Sequence, residues 1–505
     1  GLFSSFNSDI IDNVDFYKAG FPARYGGRLS SVVDISTRDG DMEEHHGSFS
    51  IGSIDGRIQF EGPLVKGKTS FNLSLRRTWL DTFTTPLIAY LNHESRKDPE
   101  LDELIKAGYN FNDFNAKLTH RFSDRSKLNA VFYRGRDRGR FCQSYTKSAE
   151  LYDFGLVWGN TVASLDWSYI FNDNLSLRLT PYYTMSVSEI SAVFADDWQT
   201  GYGTDRRGYD IREEIDTDIR DLGINASFVW EPSSRHKVRF GITGQHHRYF
   251  PSRSFAEKYH DGDETGRNQG KDEAKMGGAE TAVFAEDEMT LSNEWKFNIG
   301  VRESIFFTDG KVYGRMEPRA AVKYQASDCI SLRLSYAEMN QFAHLVSPLY
   351  ADLPTALWMP SAKDIAPMHS GQVTAGIYFT PGRNWRLTFE SYYKSMSHLY
   401  EYNGDFSILP DINRWQDSFT EGKGRTFGGE LEAEYRAGDF QMDAAYTLSW
   451  NQRFFSEFSP FWYRDRNDNR HKISISASYR FNRKFELYGG WEFHSGNRIT
   501  IPAAR

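Results

Sequence analysis

Every ten to twenty residues the chain runs a stretch in which apolar and polar side chains alternate strictly. Residues 385–394 read WRLTFESYYK, with Leu387, Phe389 and Tyr393 on one face and Arg386, Thr388, Glu390 and Lys394 on the other. Residues 472–481, KISISASYRF, set Ile473, Ile475, Ala477, Tyr479 and Phe481 against Lys472, Ser474, Ser476, Ser478 and Arg480. Val238, Phe240 and Ile242 oppose Arg239 and Thr243, and Ile330, Leu332, Leu334 and Tyr336 oppose Ser331, Arg333 and Ser335. A period of two is that of a β-strand. An apolar face and a charged face sustained over about ten residues is the pattern of a transmembrane β-barrel. A soluble sandwich also alternates, but its strands usually run about five or six residues.

Composition agrees once lipid is allowed for. The 505 residues are 25% charged, and the mean hydropathy is −0.61. No stretch approaches the roughly 18–20 apolar residues that a membrane helix needs. A barrel escapes that test, because only every second residue meets lipid. Aromatic content is 15%, with 28 Tyr and 38 Phe, which suits a lipid face with interfacial girdles. The net charge of −8 and pI near 6.0 do not point to nucleic acid. Cys142 and Cys329 fall at opposite ends of the expected strands, and a disulfide needs Cα atoms within about 7 Å, so none is expected. No signal peptide is visible, and the chain reads as a fragment or trimmed form of a longer protein.

The connections are of two kinds. Short polar turns are predicted at 65–68, 122–126, 171–174, 231–236, 292–294, 326–329, 381–384, 437–439 and 481–484. Longer irregular connections are predicted near 82–109, 137–153, 190–207, 250–278, 341–368, 399–421 and 453–469, with 308–311 a short exception. Short periplasmic turns and long extracellular loops are the outer-membrane arrangement. Phe122, Phe171, Trp230, Tyr324, Phe379, Tyr435 and Phe481 sit at or just before short turns. One such aromatic is ordinary hairpin packing; seven at one end form a girdle. About nineteen strands are counted between 46 and 502. Bacterial barrels have even strand numbers, so about three closing strands are read as missing from a barrel of about 22, a size whose lumen carries a plug. Arg77 takes the outward phase behind Phe71, Leu73 and Leu75, which places it at the upper membrane boundary or implies a bulge.

Residues 9–40, DIIDNVDFYKAGFPARYGGRLSSVVDISTRDG, resemble the C-terminal end of the plug domain of TonB-dependent outer-membrane receptors. The likeness lies in GFPARYGG (20–27), then a strand at 29–35 ending in a Thr-Arg-Asp-Gly turn. Residues 62–81 resemble the second and third barrel strands of that family. Segments 335–367, 463–482 and 496–502 resemble its Bacteroidota branch. The order of these segments matches over nearly the whole chain. The resemblance implies a plug end at 1–43, and a barrel at 44–505 without its last strands, in a Gram-negative outer membrane. The TonB box, most of the plug and the closing strands are absent from the match. The implied mechanism is ligand binding at the extracellular mouth, followed by a pull on the plug by the TonB complex, engaged through the missing N-terminal segment. The ligand then passes through the barrel with no bond in it changed. Implied partners are outer-membrane lipid and lipopolysaccharide, and a surface lipoprotein of the kind relatives in that branch have. No cofactor and no metal is implied.

Candidate residues follow. Arg24, Tyr25 and Arg28 stand where the plug meets the inner wall, with Glu390, Glu486 and Glu492 as candidate lumenal partners. The plainer alternative is a tight turn supplied by Gly26 and Gly27 with solvated arginines. His344, Tyr350, Trp358 and Met359 in the 341–368 loop, and Phe461, Trp462, Tyr463 and Arg464 in the 453–469 region, are candidates for substrate contact, since aromatics beside charges suit a binding rim; the alternative is loop-on-loop packing. His246 and His247 adjoin, but strand neighbours face opposite ways, so they are not read as a metal pair. Asp261, Asp263 and Glu264 lack the fuller EF-hand spacing. The chain holds no HExxH, G-x-S-x-G, phosphate loop or paired CxxC. A barrel enzyme, a passive porin and a soluble multi-strand binding protein are the competing readings. The first two predict no plug-like segment, and the third predicts polar residues on the faces assigned to lipid.

Overall fold

The structure, a computed structural model, describes residues 7–18, 20–97, 103–145, 150–199, 206–261, 264–308, 310–346, 357–402 and 415–497. Side-chain phase decides the architecture. The strand Thr69–Thr78 buries Ser70, Asn72, Ser74, Arg76 and Thr78 and exposes Leu73 and Leu75. Met276–Thr290 buries Glu280 and Glu286 and exposes Val283, and Ile330–Gln341 buries Ser331 and Ser335 and exposes Leu332, Leu334 and Tyr336. This is the burial order of a soluble protein turned inside out. Lipid on the outside makes it favourable, because outward apolar side chains then never meet water.

Twenty-one strand segments of the described residues make up the barrel, and the registers from His46–Ile51 round to Phe485–His494 are antiparallel. Two of them continue another across a break. Glu264–Glu273 and Met276–Thr290 both pair with His236–Asp261, and Tyr463–Arg464 and His471–Asn482 both pair with Phe440–Phe454. The wall therefore has nineteen positions, the count the alternation predicts. The end strands His46–Ile51 and Phe485–His494 are exposed at every residue. Cys142 and Cys329 are both free thiols.

All the short turns stand where expected, and Gly67, Gly382 and Gly438 adopt φ of 70°, 75° and 55° in three of them, a left-handed backbone that glycine takes without steric cost. The aromatics beside the turns meet ring to ring: Trp295 with Tyr324 at 4.4 Å, Trp385 with Tyr435 at 4.7 Å, and Tyr479 with Phe481 at 4.7 Å. Arg77 lies one residue from the end of Thr69–Thr78, whose alternation stays regular, and pairs with Asp81 at 3.3 Å. No bulge is present there, so the bulge reading of Arg77 falls.

The long connections differ most from expectation. Residues near 137–153, 190–207 and 250–278, read as irregular, are largely strand: Ser126–Tyr145, Leu151–Asn172, Leu175–Gln199, Arg206–Ser233 and His236–Asp261 run 20–28 residues. Above the membrane both faces meet water, so the apolar alternation stops while the backbone ladder continues. Residues 80–95 form the helix Leu80–Ser95. Its Asn92 side chain accepts from the Ile105 amide at 2.9 Å and donates to the Ile105 carbonyl at 2.6 Å. The 341–368 connection contains a two-stranded hairpin, Ala343–Val346 with Leu357–Pro360.

The N-terminal segment crosses the lumen and touches widely separated strands. Asn7 donates to Ser74 Oγ at 2.5 Å. Lys117 reaches Asp39 at 2.8 Å, and Lys18 reaches Glu430 at 2.9 Å. Strands Ile11–Tyr17 and Val32–Thr37 pair with each other and stay outside the wall ladder. Packing into this space is close at Gly40, where a Cβ would stand 2.0 Å from the Phe71 carbonyl oxygen.

Leu334 lies mid-strand on the outer face. Leu334→Arg is expected to destabilise the barrel by about 2–4 kcal/mol, the cost of a lipid-facing arginine at the bilayer midplane. Leu334→Ala, which adds no charge, is expected to cost less. Urea unfolding of both variants in phospholipid vesicles checks this, and equal midpoints would remove the lipid assignment of that face.

Candidate functional site

The turn at residues 20–27 is where the N-terminal segment meets the wall most intimately. Gly20 has φ 58° and Gly27 φ 75°, and a Cβ at Gly26 would stand 2.2 Å from Arg302 Nε. These glycines let the backbone lie flat against wall side chains. The wall supplies a layer of opposite charges from three consecutive positions. Glu286, fully buried, accepts from the Ala23 amide at 2.5 Å and from Arg24 Nη1 at 2.8 Å. Arg319 donates to the Pro22 and Tyr25 carbonyls, each at 2.5 Å, and lies 4.8 Å above the Phe21 ring. Arg302 donates to the Arg24 carbonyl at 3.4 Å.

Each wall charge is held by further lumenal side chains. Arg319 pairs with Glu317 at 2.7 Å, and Glu317 also accepts from Ser304 at 3.1 Å and Asn340 at 3.4 Å. Arg302 is braced by Ser304 at 3.2 Å and Thr243 at 3.0 Å. His247 is buried between Asp221 at 2.9 Å and Glu280 at 3.8 Å. Its neighbour His246 lies on the opposite face beside Arg248. Among the described residues no His, Cys, Asp and Glu group could hold a metal; Asp263 lies outside them. Buried pairs of this kind contribute little net stability but cost much when one partner is removed. They therefore fix where the segment sits more than how tightly it holds.

Above this turn stand the extracellular elements. The Arg28 guanidinium lies 5.5 Å over the Trp358 ring of the hairpin. Met359 is fully buried with Leu156, Ile190, Ile215 and Ile365, and so fixes the hairpin to the inner wall. His344 is buried too, bonded to Ser361 at 3.0 Å and edge-on to Tyr400 at 5.0 Å. Burial, reinforced by the charge of His398, pushes the His344 imidazole down to about 3. In the other rim region Phe461 is 75% exposed. The Trp462 ring lies 4.4 Å under Arg425, Tyr463 donates to Glu401 at 3.1 Å, and Arg464 stands 3.6 Å from Asp468. Tyr350 lies outside the described residues.

The predicted residues are thus only partly brought together. Arg24 meets Glu286, Tyr25 donates to Asp34 at 2.5 Å, and Arg28 meets Trp358. Glu390 is bonded to Tyr378 instead, five wall positions from Glu286. It lines a cavity of about 610 Å³ with Lys18, Arg333, Lys394, Glu430 and Glu432. Glu486, 3.5 Å from Arg480, and Glu492 sit on the last strand, nine positions from Glu286. None of the three contacts Arg24 or Arg28, because barrel order puts them on other sectors of the wall. Phase alone marks Glu286, Arg302, Glu317 and Arg319 as lumenal, since each alternates with an outward apolar neighbour. That they converge on one turn depends on strand order.

Two outcomes test this geometry. Glu286→Ala leaves Arg24 and the Ala23 amide without their acceptor, and breaking a buried pair costs about 3–5 kcal/mol. Amide exchange over residues 21–27 is expected to quicken at least about tenfold, against little change for Glu492→Ala. His344 has a folded pKa below its unfolded value near 6.5, so the unfolded state binds more protons between about 6.5 and 3. The hairpin is therefore expected to loosen as pH falls through that window. Exchange over residues 343–346 at pH 7 and pH 4.5, with His344→Leu as the variant without the pH dependence, checks the sign.

The family model "TonB dependent receptor-like, beta-barrel" matches residues 98–503. A sequence comparison with curated proteins gives no match. Among solved structures, the pyoverdine outer-membrane receptor FpvA of Pseudomonas aeruginosa PAO1 superposes with TM-score 0.63 at 12% identity, over 95% of this chain and 72% of that one. BauA, the ferric preacinetobactin receptor of Acinetobacter baumannii, gives 0.61 at 11%, over 97% and 75%. The RagAB peptide importer gives 0.60 at 10%, over 98% and 77%. At such identities these likenesses speak for the fold. With the inside-out barrel and the family match over most of its length, the chain belongs to the TonB-dependent receptors, outer-membrane proteins of Gram-negative bacteria that serve nutrient uptake.

Proposed function

We propose that the protein is an active importer of a scarce nutrient, in which residues 1–43 are the C-terminal end of the plug and 44–505 the barrel. Ligand binds at the extracellular face among Trp358, Phe461, Trp462, Tyr463 and Arg464. Binding is felt by the plug, and the TonB complex then draws on the plug from the periplasm. The observation that carries this reading is the contact of Arg28 with Trp358. Four residues earlier, Arg24 is held by Glu286. One short segment therefore touches both the extracellular hairpin and the buried charges of the wall, so a displacement of the hairpin is passed to the point where the plug is anchored. The polar cavity beside Lys18 and Glu390 lies on the lumenal side of the same segment and is the place where a path would widen first.

Lys18 bears on the second half of the mechanism. It bonds both Glu430 and Glu432 while still partly exposed. Exposed pairs are worth at most about 1 kcal/mol, so this contact yields under force where a buried apolar contact would resist. A surface partner fits the same extracellular end, where Phe83, Leu87, Tyr90 and Leu91 form an exposed apolar stripe on Leu80–Ser95 at helical spacing. RagAB, among the structural neighbours, is a peptide importer. The cargo of the present protein is put to experiment without a preferred member.

The test uses the full-length protein purified from outer membranes. Siderophores, haem, cobalamins, oligosaccharides and peptides are offered in turn, and binding is read by native mass spectrometry. One class is expected to bind, and Trp358→Ala is expected to weaken it by about tenfold or more, the usual effect of truncating a central aromatic. No binding, together with rapid passive solute flux in liposomes, would replace this reading with that of a porin.

A further inference from the structure

Three lumenal rows of the wall face the N-terminal segment across the cavity of about 610 Å³. The middle row reads, in register, Arg333, Gly376, Glu390 and Glu430. The row toward the short turns carries Tyr378, Thr388 and Glu432, and the row toward the mouth carries Ser335, Thr374 and Tyr392. Ser30 and Ser31 of the N-terminal segment line the opposite side.

Two strand spacings, about 10 Å, separate the backbone at Arg333 from that at Glu390. Long side chains could close that gap and pair. They do not: among the described residues, neither Arg333 nor Glu390 has an opposite charge within ion-pair reach. Gly376, between them, gives the reason. A Cβ there would stand 3.2 Å from the Tyr378 ring and 3.3 Å from Glu390 Cγ, so its absence lets both side chains fold across the gap. The Tyr378 hydroxyl donates to Glu390, and Arg333 flanks the same hydroxyl. A phenol thus holds the cation and the carboxylate apart. The other charges of the cavity are engaged. Lys18 bonds both Glu430 and Glu432, and Lys394 donates to the Leu29 carbonyl. What the cavity offers a ligand is one cation and one carboxylate at a set separation, amid hydroxyl groups.

We propose that this cavity binds a short peptide with free ends, its carboxylate on Arg333 and its ammonium on Glu390. The inference rests on the importer reading above and names the cargo class that the cavity takes in passage. Size agrees. An extended chain spans at most about 3.3–3.6 Å per residue, so three residues match the separation in the row. Charge agrees as well. A ligand that fills the cavity strips water from Arg333 and Glu390, and a desolvated charge left without a partner is costly. A neutral oligosaccharide leaves both charges unmatched, and an anionic chelate leaves Glu390 unmatched. A peptide with free ends matches both, with its carboxylate against the guanidinium fork.

The test uses the full-length protein in detergent micelles and isothermal titration calorimetry. Trialanine, its N-acetyl form, its C-terminal amide and maltotriose are the probes. Trialanine is expected to bind wild type, each blocked form at least about tenfold more weakly, and maltotriose not measurably. Arg333→Gln is expected to weaken trialanine about tenfold and to abolish the penalty for the amide while keeping that for the acetyl form. Glu390→Gln is expected to do the reverse, since removing both partners of one contact costs no more than removing one. Equal affinity of wild type for free and blocked trialanine would overturn the proposal, and that comparison needs no variant to fold. A penalty for blocking that survives unchanged in both variants would also overturn it. Uptake of labelled trialanine by cells, with and without the proton gradient, separates this site from the importer reading. Binding with the expected charge pattern but no gradient-dependent uptake removes the importer reading and leaves the site. Gradient-dependent uptake of another cargo, with no trialanine bound, removes the site and leaves the importer.

Discussion

A strand inside a bilayer must give every backbone N–H and C=O a partner, because lipid offers none and each unsatisfied group costs several kcal/mol. That constraint governs this molecule. It demands a continuous ladder around the wall, and it leaves the side chains free to divide by phase, with apolar groups out and polar groups in. The lumen is therefore the polar core, and it inherits the usual rule for buried charges: each must be paired and hydrogen-bonded. Glu317 between Arg319, Ser304 and Asn340, and His247 between Asp221 and Glu280, obey it.

The N-terminal segment completes that satisfaction. It offers backbone carbonyls at Pro22 and Tyr25 to Arg319 and an amide at Ala23 to Glu286. Most of these are groups any sequence would have, made accessible by glycines at 20, 26 and 27. On the proposed importing mechanism, the arrangement suits a part that is positioned accurately and later displaced. Charged and polar contacts are directional, and water entering the lumen can replace them. A large apolar interface would have neither property.

The extracellular side follows a different logic. Above the membrane the wall strands continue into water, while the paired strands Ala343–Val346 and Leu357–Pro360 turn inward and are fixed by Met359 and His344. It thereby brings Trp358 to Arg28. The other rim residues, Phe461 above all, remain open to solvent. One loop is thus coupled to the segment beneath it, and the other stays open to solvent.

Strand by strand, the barrel was legible in the sequence, because lipid on one side and water on the other impose a two-residue period over longer strands than a soluble sandwich usually has. The nineteen positions, the short turns with their aromatics and the outward phase of Leu334 or Phe389 all follow from it. The period fails where both faces meet water, which is why the upper parts of the tall strands Ser126–Tyr145 and Leu175–Gln199 look like loops in the sequence. It is also silent on which lumenal charges meet. Glu286 and Glu390 have the same alternation signature; only strand order, set by the tertiary fold, brings the first to Arg24 and leaves the second by Tyr378. Burial of His344 and Met359 was likewise hidden, since a loop's inward turn depends on the cavity awaiting it. Sequence by itself determined the periodic, membrane-facing half of the problem, because that half is local. Tertiary structure decided the lumen, because pairing there is made between residues hundreds apart.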